Sequence, residues 1–236
     1  MPPRTNEQGQ PIGDPLPEWT PRPRPPATPM TGRFCRVEPL DPARHAGPLF
    51  EALAQPAALP LWTYLPYGPF ADPAAFRAWM ERTCRGDDPL FHAIADAAGR
   101  EIGFSAYSRI APAVGVIEIG HLVFGAAMQR TPVATEALYL MMRRAFDELG
   151  YRRCEWKCDT LNEPSRRAAE RLGFTFEGIF RKAIVYKQRS RDTAWYAVVD
   201  TDWPVLRGAF ETWLSPGNFG AEGRQRRSLA AIRAGG

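Results

Sequence analysis

From 132 to 149 the apolar residues Ala134, Leu138, Met141, Met142, Ala145 and Leu149 recur at helical spacing, with Thr131 as N-cap, Pro132 at the first helical position and Gly150 as stop. A β-branched strand with Gly120 as an expected bulge occupies 114–124 just before it. Just after it, 152–159 alternates: Cys154, Trp156 and Cys158 fall on one face, Arg153, Glu155, Lys157 and Asp159 on the other. A strand, a long helix and a half-covered strand in direct succession require a sheet with helices against it. Further strand patterns at 33–37, 90–95, 102–109, 174–186 and 192–201, and helix patterns at 41–54, 72–85 and 163–172, extend this to an α+β fold with a mixed central sheet.

The 236 residues, 44% hydrophobic and 24% charged, suffice for one sizeable core, so the four cysteines need not act as staples. Cys154 and Cys158 would stand about 13 Å apart along a strand, too far for one disulfide or one zinc, and are expected to be packed thiols. Ten of the 24 prolines fall in the first 30 residues, where apolar residues are few, so 1–31 is expected to be a flexible Pro-rich tail. The domain is then 32–205. The remainder, 206–236, is expected to be a helical extension whose Phe210 and Trp213 can dock back, ending in a basic tail. The N-terminus has no apolar run of signal-peptide type and no stretch is long enough for a membrane span, which makes a cytoplasmic, membrane-free location the expectation.

The net charge of +4 is carried mainly by the C-terminal tail, where five Arg from Arg207 onward face two Glu. A folded nucleic-acid surface would concentrate its cations on the domain, so any nucleic-acid contact is expected only through that tail and a small anionic ligand fits better. The three histidines, His45, His92 and His121, share no ligand spacing, and no metal is expected. Ser105 lies in no G-x-S-x-G context, which argues against a serine hydrolase. The segment Gln129-Arg130-Thr131-Pro132-Val133-Ala134-Thr135 opens a helix directly after a strand. There, unpaired first-turn N–H groups, the positive end of the helix dipole and the Arg130 charge suit a phosphate or pyrophosphate; an isolated start of this kind would be only a capped helix.

Those residues resemble the Q/R-x-x-G-x-G/A signature of the GCN5-related N-acetyltransferases, the GNAT superfamily, with Pro132 in place of the first glycine. Downstream, Glu118-Ile-Gly-His121, Ala134-Thr-Glu-Ala137, Gly150-Tyr-Arg-Arg153, Asn162-x-x-Ser165-Arg166 and Arg171-Leu-Gly-Phe-x-x-Glu-Gly178 resemble the RimJ/RimL-like branch, in order, over 33–202. The resemblance implies a GNAT fold in which the strands at 114–124 and 152–159 splay to receive the pantetheine of acetyl-CoA. It implies that Leu122, Val123 and Phe124 offer backbone groups to pantetheine, that Gln129, Arg130, Thr131, Pro132, Val133, Ala134 and Thr135 wrap the pyrophosphate, and that Asn162 and Ser165 face the thioester.

The implied reaction is direct transfer of acetyl from acetyl-CoA to a primary amine, either a protein N-terminus or a small molecule. A noncatalytic acyl-CoA-binding module and a ribosome- or RNA-associated protein acting through its basic tail remain alternatives. Transfer needs a base for the amine and an acid for the thiolate. Glu118, a carboxylate in an apolar strand, is the candidate base or else a structural partner of an arginine; His121, of opposite strand parity, is expected to point away unless the bulge intervenes. Ser165 and Tyr186 are the candidate acids, with Tyr196 as a further phenol. Trp62, Tyr64, Tyr67 and Phe70, in the family's variable substrate region, either wall the acceptor site or anchor their own loop.

Overall fold

The structure, a computed structural model, describes residues 4–235; Met1 to Pro3 of the expected tail, and Gly236, lie outside the described residues. The chain opens on a small hairpin of β1 (Arg4–Thr5) and β2 (Pro11–Ile12). It then runs through β3 (Met30–Thr31), β4 (Cys35–Pro39), α1 (Pro42–Leu53), a 3₁₀ stretch at Pro56–Trp62, α2 (Pro73–Thr83), β5 (Leu90–Asp96), β6 (Glu101–Ala111) and β7 (Val116–Phe124). After these come α3 (Pro132–Arg143), β8 (Arg153–Asp159), α4 (Glu163–Leu172), β9 (Thr175–Tyr186), β10 (Arg189–Val199), α5 (Trp203–Leu214) and α6 (Leu229–Ala234). Eight strands form one sheet in the order β3-β4-β5-β6-β7-β8-β10-β9. Every neighbouring pair is antiparallel except β7 and β8, which α3 joins as a crossover. The mixed α+β sheet is the one the sequence pattern requires.

Side-chain alternation divides the interior into two cores, one on each face of the sheet. On one face Ile117, Ile119, Cys154, Trp156, Tyr196 and Val198 pack with α3 residues Leu138, Met141 and Met142 and with Trp203, Phe210 and Trp213 of α5. On the other, Phe91, Phe104, Ala106 and Val123 pack under α1 and α2 with Leu49, Leu53, Phe76 and Trp79. The cysteines are free and buried among apolar neighbours. Glu136 on α3 is buried, and its carboxylate accepts the backbone N–H groups of Arg33, Phe34 and Cys35 at 2.8, 2.6 and 2.9 Å, which ties the start of β4 to the helix.

The expected helix through 149 keeps α-helical bonding only to Arg143 and finishes in a π-helical turn, Arg144–Glu148, before the left-handed Gly150. This ending places the guanidinium of buried Arg144 against the carbonyls of Thr28 and Pro29 at 2.7 and 3.1 Å. The same contacts correct the expectation of a free tail through Thr31. Trp19 donates to the Ala113 carbonyl, the Arg22 N–H donates to the Pro112 carbonyl, and Met30 is buried on the sheet edge. Prolines lack an N–H but keep an accepting carbonyl, so an extended Pro-rich segment can satisfy a buried arginine without forming a core of its own.

At the other end α5 docks as expected, burying Trp203, Leu206, Phe210 and Trp213; each large apolar side chain so covered contributes roughly 1.5–3 kcal/mol. α6 docks as well, through Leu229 and Ile232, and Arg233 donates to the Glu170 and Arg171 carbonyls at the end of α4. Part of the tail's positive charge is therefore spent on the protein itself. No helix among the described residues is long and apolar enough to cross a membrane.

Candidate active site

β7 and β8 share a ladder only at Val116↔Arg153, Ile117↔Cys154 and Glu118↔Glu155. Past Glu118 the two strands part, which leaves an opening in the ladder between them. A one-residue register shift drives the separation: between Gly120 and Val123, β7 has one residue more than β6 has between Ala106 and Phe104. The bulge residue is His121, held at φ 54°, and not Gly120 as the sequence suggested. Gly120 supplies room instead, since a Cβ there would lie 2.9 Å from Glu118 Oε1.

On the α3 side, Leu122, Phe124, Val133 and Ala134 are half-buried beside the opening, while Val123 turns into the core beneath α1 and α2. The turn from Gly125 to Thr131 is closed by backbone bonds, with Arg130 at φ 59° and its side chain exposed. Asp41, Asp72, Asn162 and Ser228 cap their helices with side-chain oxygens; Thr131 does not cap α3. Its hydroxyl donates backward to the Met128 carbonyl at 2.7 Å, and Gln129 donates to the Phe124 carbonyl at 2.8 Å. The first turn of α3 is thus without a side-chain cap, and Pro132 has no N–H to offer. Thr135 is buried and its hydroxyl accepts from Arg171 at 3.0 Å, which brings a second cation to this helix start. Sequence reading missed that role although Arg171 stands in a quoted motif. Asn162 caps α4, and Ser165 on its first turn accepts the Trp156 indole N–H at 3.0 Å, on the same face of the sheet as the cradle.

On the α1 and α2 side, the loop after the 3₁₀ stretch spans the opening. Tyr67 Oη lies 3.0 Å from His121 Nδ1 on β7, and Tyr64 donates to the Leu161 carbonyl beyond the end of β8. The β9–β10 turn clasps the same loop, with Lys187 donating to the Trp62 carbonyl at 2.7 Å and Arg189 to the Thr63 carbonyl at 2.6 Å. Trp62 and Phe70 do not line the opening: they pack edge-on against each other and against Phe76, anchoring the loop in the smaller core.

Three sequence candidates stand in different surroundings from those the chemistry would favour. Glu118 is 8% exposed and ion-paired with Lys157 at 3.0 Å and Arg109 at 3.2 Å; Lys157 also meets Glu155 at 2.6 Å and lies over the Trp195 ring. These are the contacts of the arginine-partner alternative, made by an Oε2 that has no hydrogen bond of regular geometry among the described residues and by an Arg109 whose side chain is exposed. Tyr186 donates to the buried carboxylate of Asp159 at 2.8 Å, and burial together with that carboxylate pushes its phenol up to about 12. Its proton is committed to Asp159, so it is a weak acid for a departing thiolate. Tyr196 is buried on the opposite face between Arg166 and Glu170, remote from the acceptor side.

His121 departs most from expectation. The extra residue of the bulge reverses the alternation, so its ring sits on the face shared by Glu118, against Tyr67 and Phe91. Burial and the nearby Arg109 lower its pKa to about 4, leaving it neutral at physiological pH. A separate group of Glu38, His45 and Glu101 lies within metal-ligand distance, but His45 Nδ1 already accepts the Asp41 N–H and Nε2 faces Glu38, which Arg36 and Arg44 neutralise.

A family model described as an acetyltransferase (GNAT) domain matches residues 36–175. A crystal structure of a GCN5-related N-acetyltransferase from Brucella melitensis is similar over 93% of this chain and all of its own, with 48% identity and a TM-score of 0.91. A crystal structure of a probable acetyltransferase (GNAT family) from Chromobacterium violaceum ATCC 12472 is similar over 83% of this chain and 98% of its own, with 40% identity and a TM-score of 0.77. Among curated proteins, the uncharacterized N-acetyltransferase YnaD of Bacillus subtilis (strain 168) is 31% identical over 86 residues, 36% of this chain; the match spans half the length of that relative.

Proposed function

This chain belongs to the GNAT acetyltransferase family, and from that premise we propose that it transfers acetyl from acetyl-CoA to a primary amine by direct attack in a ternary complex. The observation that carries the reading is the three-rung parallel ladder ending at Glu118↔Glu155 beside an uncapped α3. A slot between parted strands exposes unpaired backbone groups of β7, which suit the amide-bearing pantetheine arm through Leu122, Val123 and Phe124. The first turn of α3, with Gln129, Arg130, Thr131, Pro132, Val133, Ala134 and Thr135 around it and Arg171 behind it, suits the pyrophosphate. Acetyl-CoA, when bound there, supplies an activated thioester.

The amine enters from the α1 and α2 side, under Tyr64 and Tyr67. On the cofactor side Ser165 accepts from Trp156 and its hydroxyl meets the Cys158 thiol, from which it can turn to a departing thiolate as the candidate acid. The motifs shared with the RimJ/RimL-like branch favour a peptide N-terminal amine as first acceptor to try, with amino acids and polyamines after it. The test is thiol release from acetyl-CoA with a panel of these amines, followed by mass analysis of the acceptor. An acceptor heavier by one acetyl group supports the reading; cofactor binding with no release above hydrolysis would leave only an acyl-CoA-binding module.

A further inference from the structure

We propose that His121, not Glu118, accepts the proton of the acceptor amine, through an Nε2 that the β7 bulge turns into the acceptor side of the opening. The inference rests on the acetyl-transfer reading above. Glu118 is the less favourable choice because its carboxylate is ion-paired with Lys157, which Glu155 also holds, and with the exposed Arg109. His121 is on the same face, three residues further along β7. Its Nδ1 is engaged by Tyr67, whereas Nε2 makes no hydrogen bond among the described residues, and the side chain is half-buried.

The backbone at His121 supports a functional use. A non-glycine residue at φ 54° costs energy that glycine or asparagine would relieve, and such positions persist where a side chain must be aimed. The groups facing the ring are Tyr67 from the loop, Phe91 on β5, and the charges of Arg109 on β6 and Asp88 before β5. Their balance keeps the imidazole uncharged and makes the imidazolium costly, so the ring serves as a relay that hands the proton on and not as its resting place. When Nε2 takes a proton, Nδ1–H can donate to the Tyr67 oxygen, so the cation formed is hydrogen-bonded at once.

The step balances as follows. The ammonium loses one proton to Nε2, which passes it to solvent. The freed lone pair forms the C–N bond to the acetyl carbonyl, the C–S bond breaks with its electron pair going to sulfur, and the second nitrogen-bound proton ends on that sulfur.

The experiment compares wild type with His121→Asn, which tolerates a positive φ, using two probes: the best amine of the panel and hydroxylamine, whose nitrogen is unprotonated at neutral pH. Turnover with the ordinary amine should fall about 100-fold while hydroxylamine acetylation falls no more than a few-fold and acetyl-CoA affinity is unchanged. Tyr67→Phe should give a smaller loss with the same selectivity. Equal loss with both probes, a parallel loss of acetyl-CoA binding, or full activity would overturn the assignment. A wild-type chain that acetylates no amine in the panel and not hydroxylamine overturns the functional reading, and this inference with it.

Discussion

On the α3 side of the split between β7 and β8, the groups set out for a ligand belong to the backbone: parted strand amides and the uncapped first turn of α3. On the α1 and α2 side they are side chains gathered from distant segments: Tyr64, Tyr67, His121, Asp159, Tyr186 and the Glu118–Lys157–Glu155 network. A backbone site should tolerate side-chain changes that leave the turn intact. A side-chain site should fail at single positions, and its acceptor specificity can change without touching cofactor binding.

The largest expected effect lies in the ion network beneath the acceptor side. Lys157→Met leaves Glu118 and Glu155 buried without their shared cation and should lower the unfolding free energy by about 3–5 kcal/mol, read from urea midpoints. A loss below about 1 kcal/mol would mean that water reaches these carboxylates and that Glu118 is free to act as a base.

Acid provides a second comparison, because buried His92 on one face and half-buried His121 on the other are both held neutral. His92 and His121 both have pKa values lowered from 6.5 to about 4, mainly by burial. Between those values the unfolded chain binds protons that the folded chain does not. Stability is therefore complete above about pH 6.5 and falls as the pH drops towards 4, by roughly 3 kcal/mol for each histidine. His121→Asn should remove one share of that slope and leave the share of His92. An unchanged slope would show that His121 protonates freely in the folded protein.

The smallest effect belongs to the cradle. Arg130→Gly keeps the positive φ and should weaken acetyl-CoA binding only about two- to threefold, whereas Arg130→Glu sets a negative charge against the pyrophosphate and should cost about tenfold. If the glycine variant loses as much as the glutamate variant, the arginine side chain rather than the turn holds the anion.

The same contrast explains what could be read in the sequence. The strand, turn, Pro132 and periodic helix around the proposed cradle were legible because they are contiguous. What could not be read there was Thr131, whose hydroxyl bonds Met128 instead of capping α3. The acceptor side was illegible for two reasons. Tyr67 and His121 meet across 54 positions, and the bulge, expected at Gly120, lies at His121, so that strand parity alone put the ring on the other face. The aromatic loop was read as a unit, yet only its two tyrosines, with polar tips, reach the opening, while Trp62 and Phe70 fill the core. At the N-terminus apolar content was the wrong measure, because what holds 19–31 is carbonyls accepting from Arg144 and indole and amide contacts to 112–113.

The most direct test of the two-sided account is calorimetric titration of acetyl-CoA into Tyr67→Phe and His121→Asn alongside their turnover. The account predicts affinities within about twofold of wild type while turnover drops, the signature of groups that act only on the acceptor. Affinity that weakens in step with turnover would contradict it, showing that the loop and bulge belong to the cofactor site and that the two sides are one.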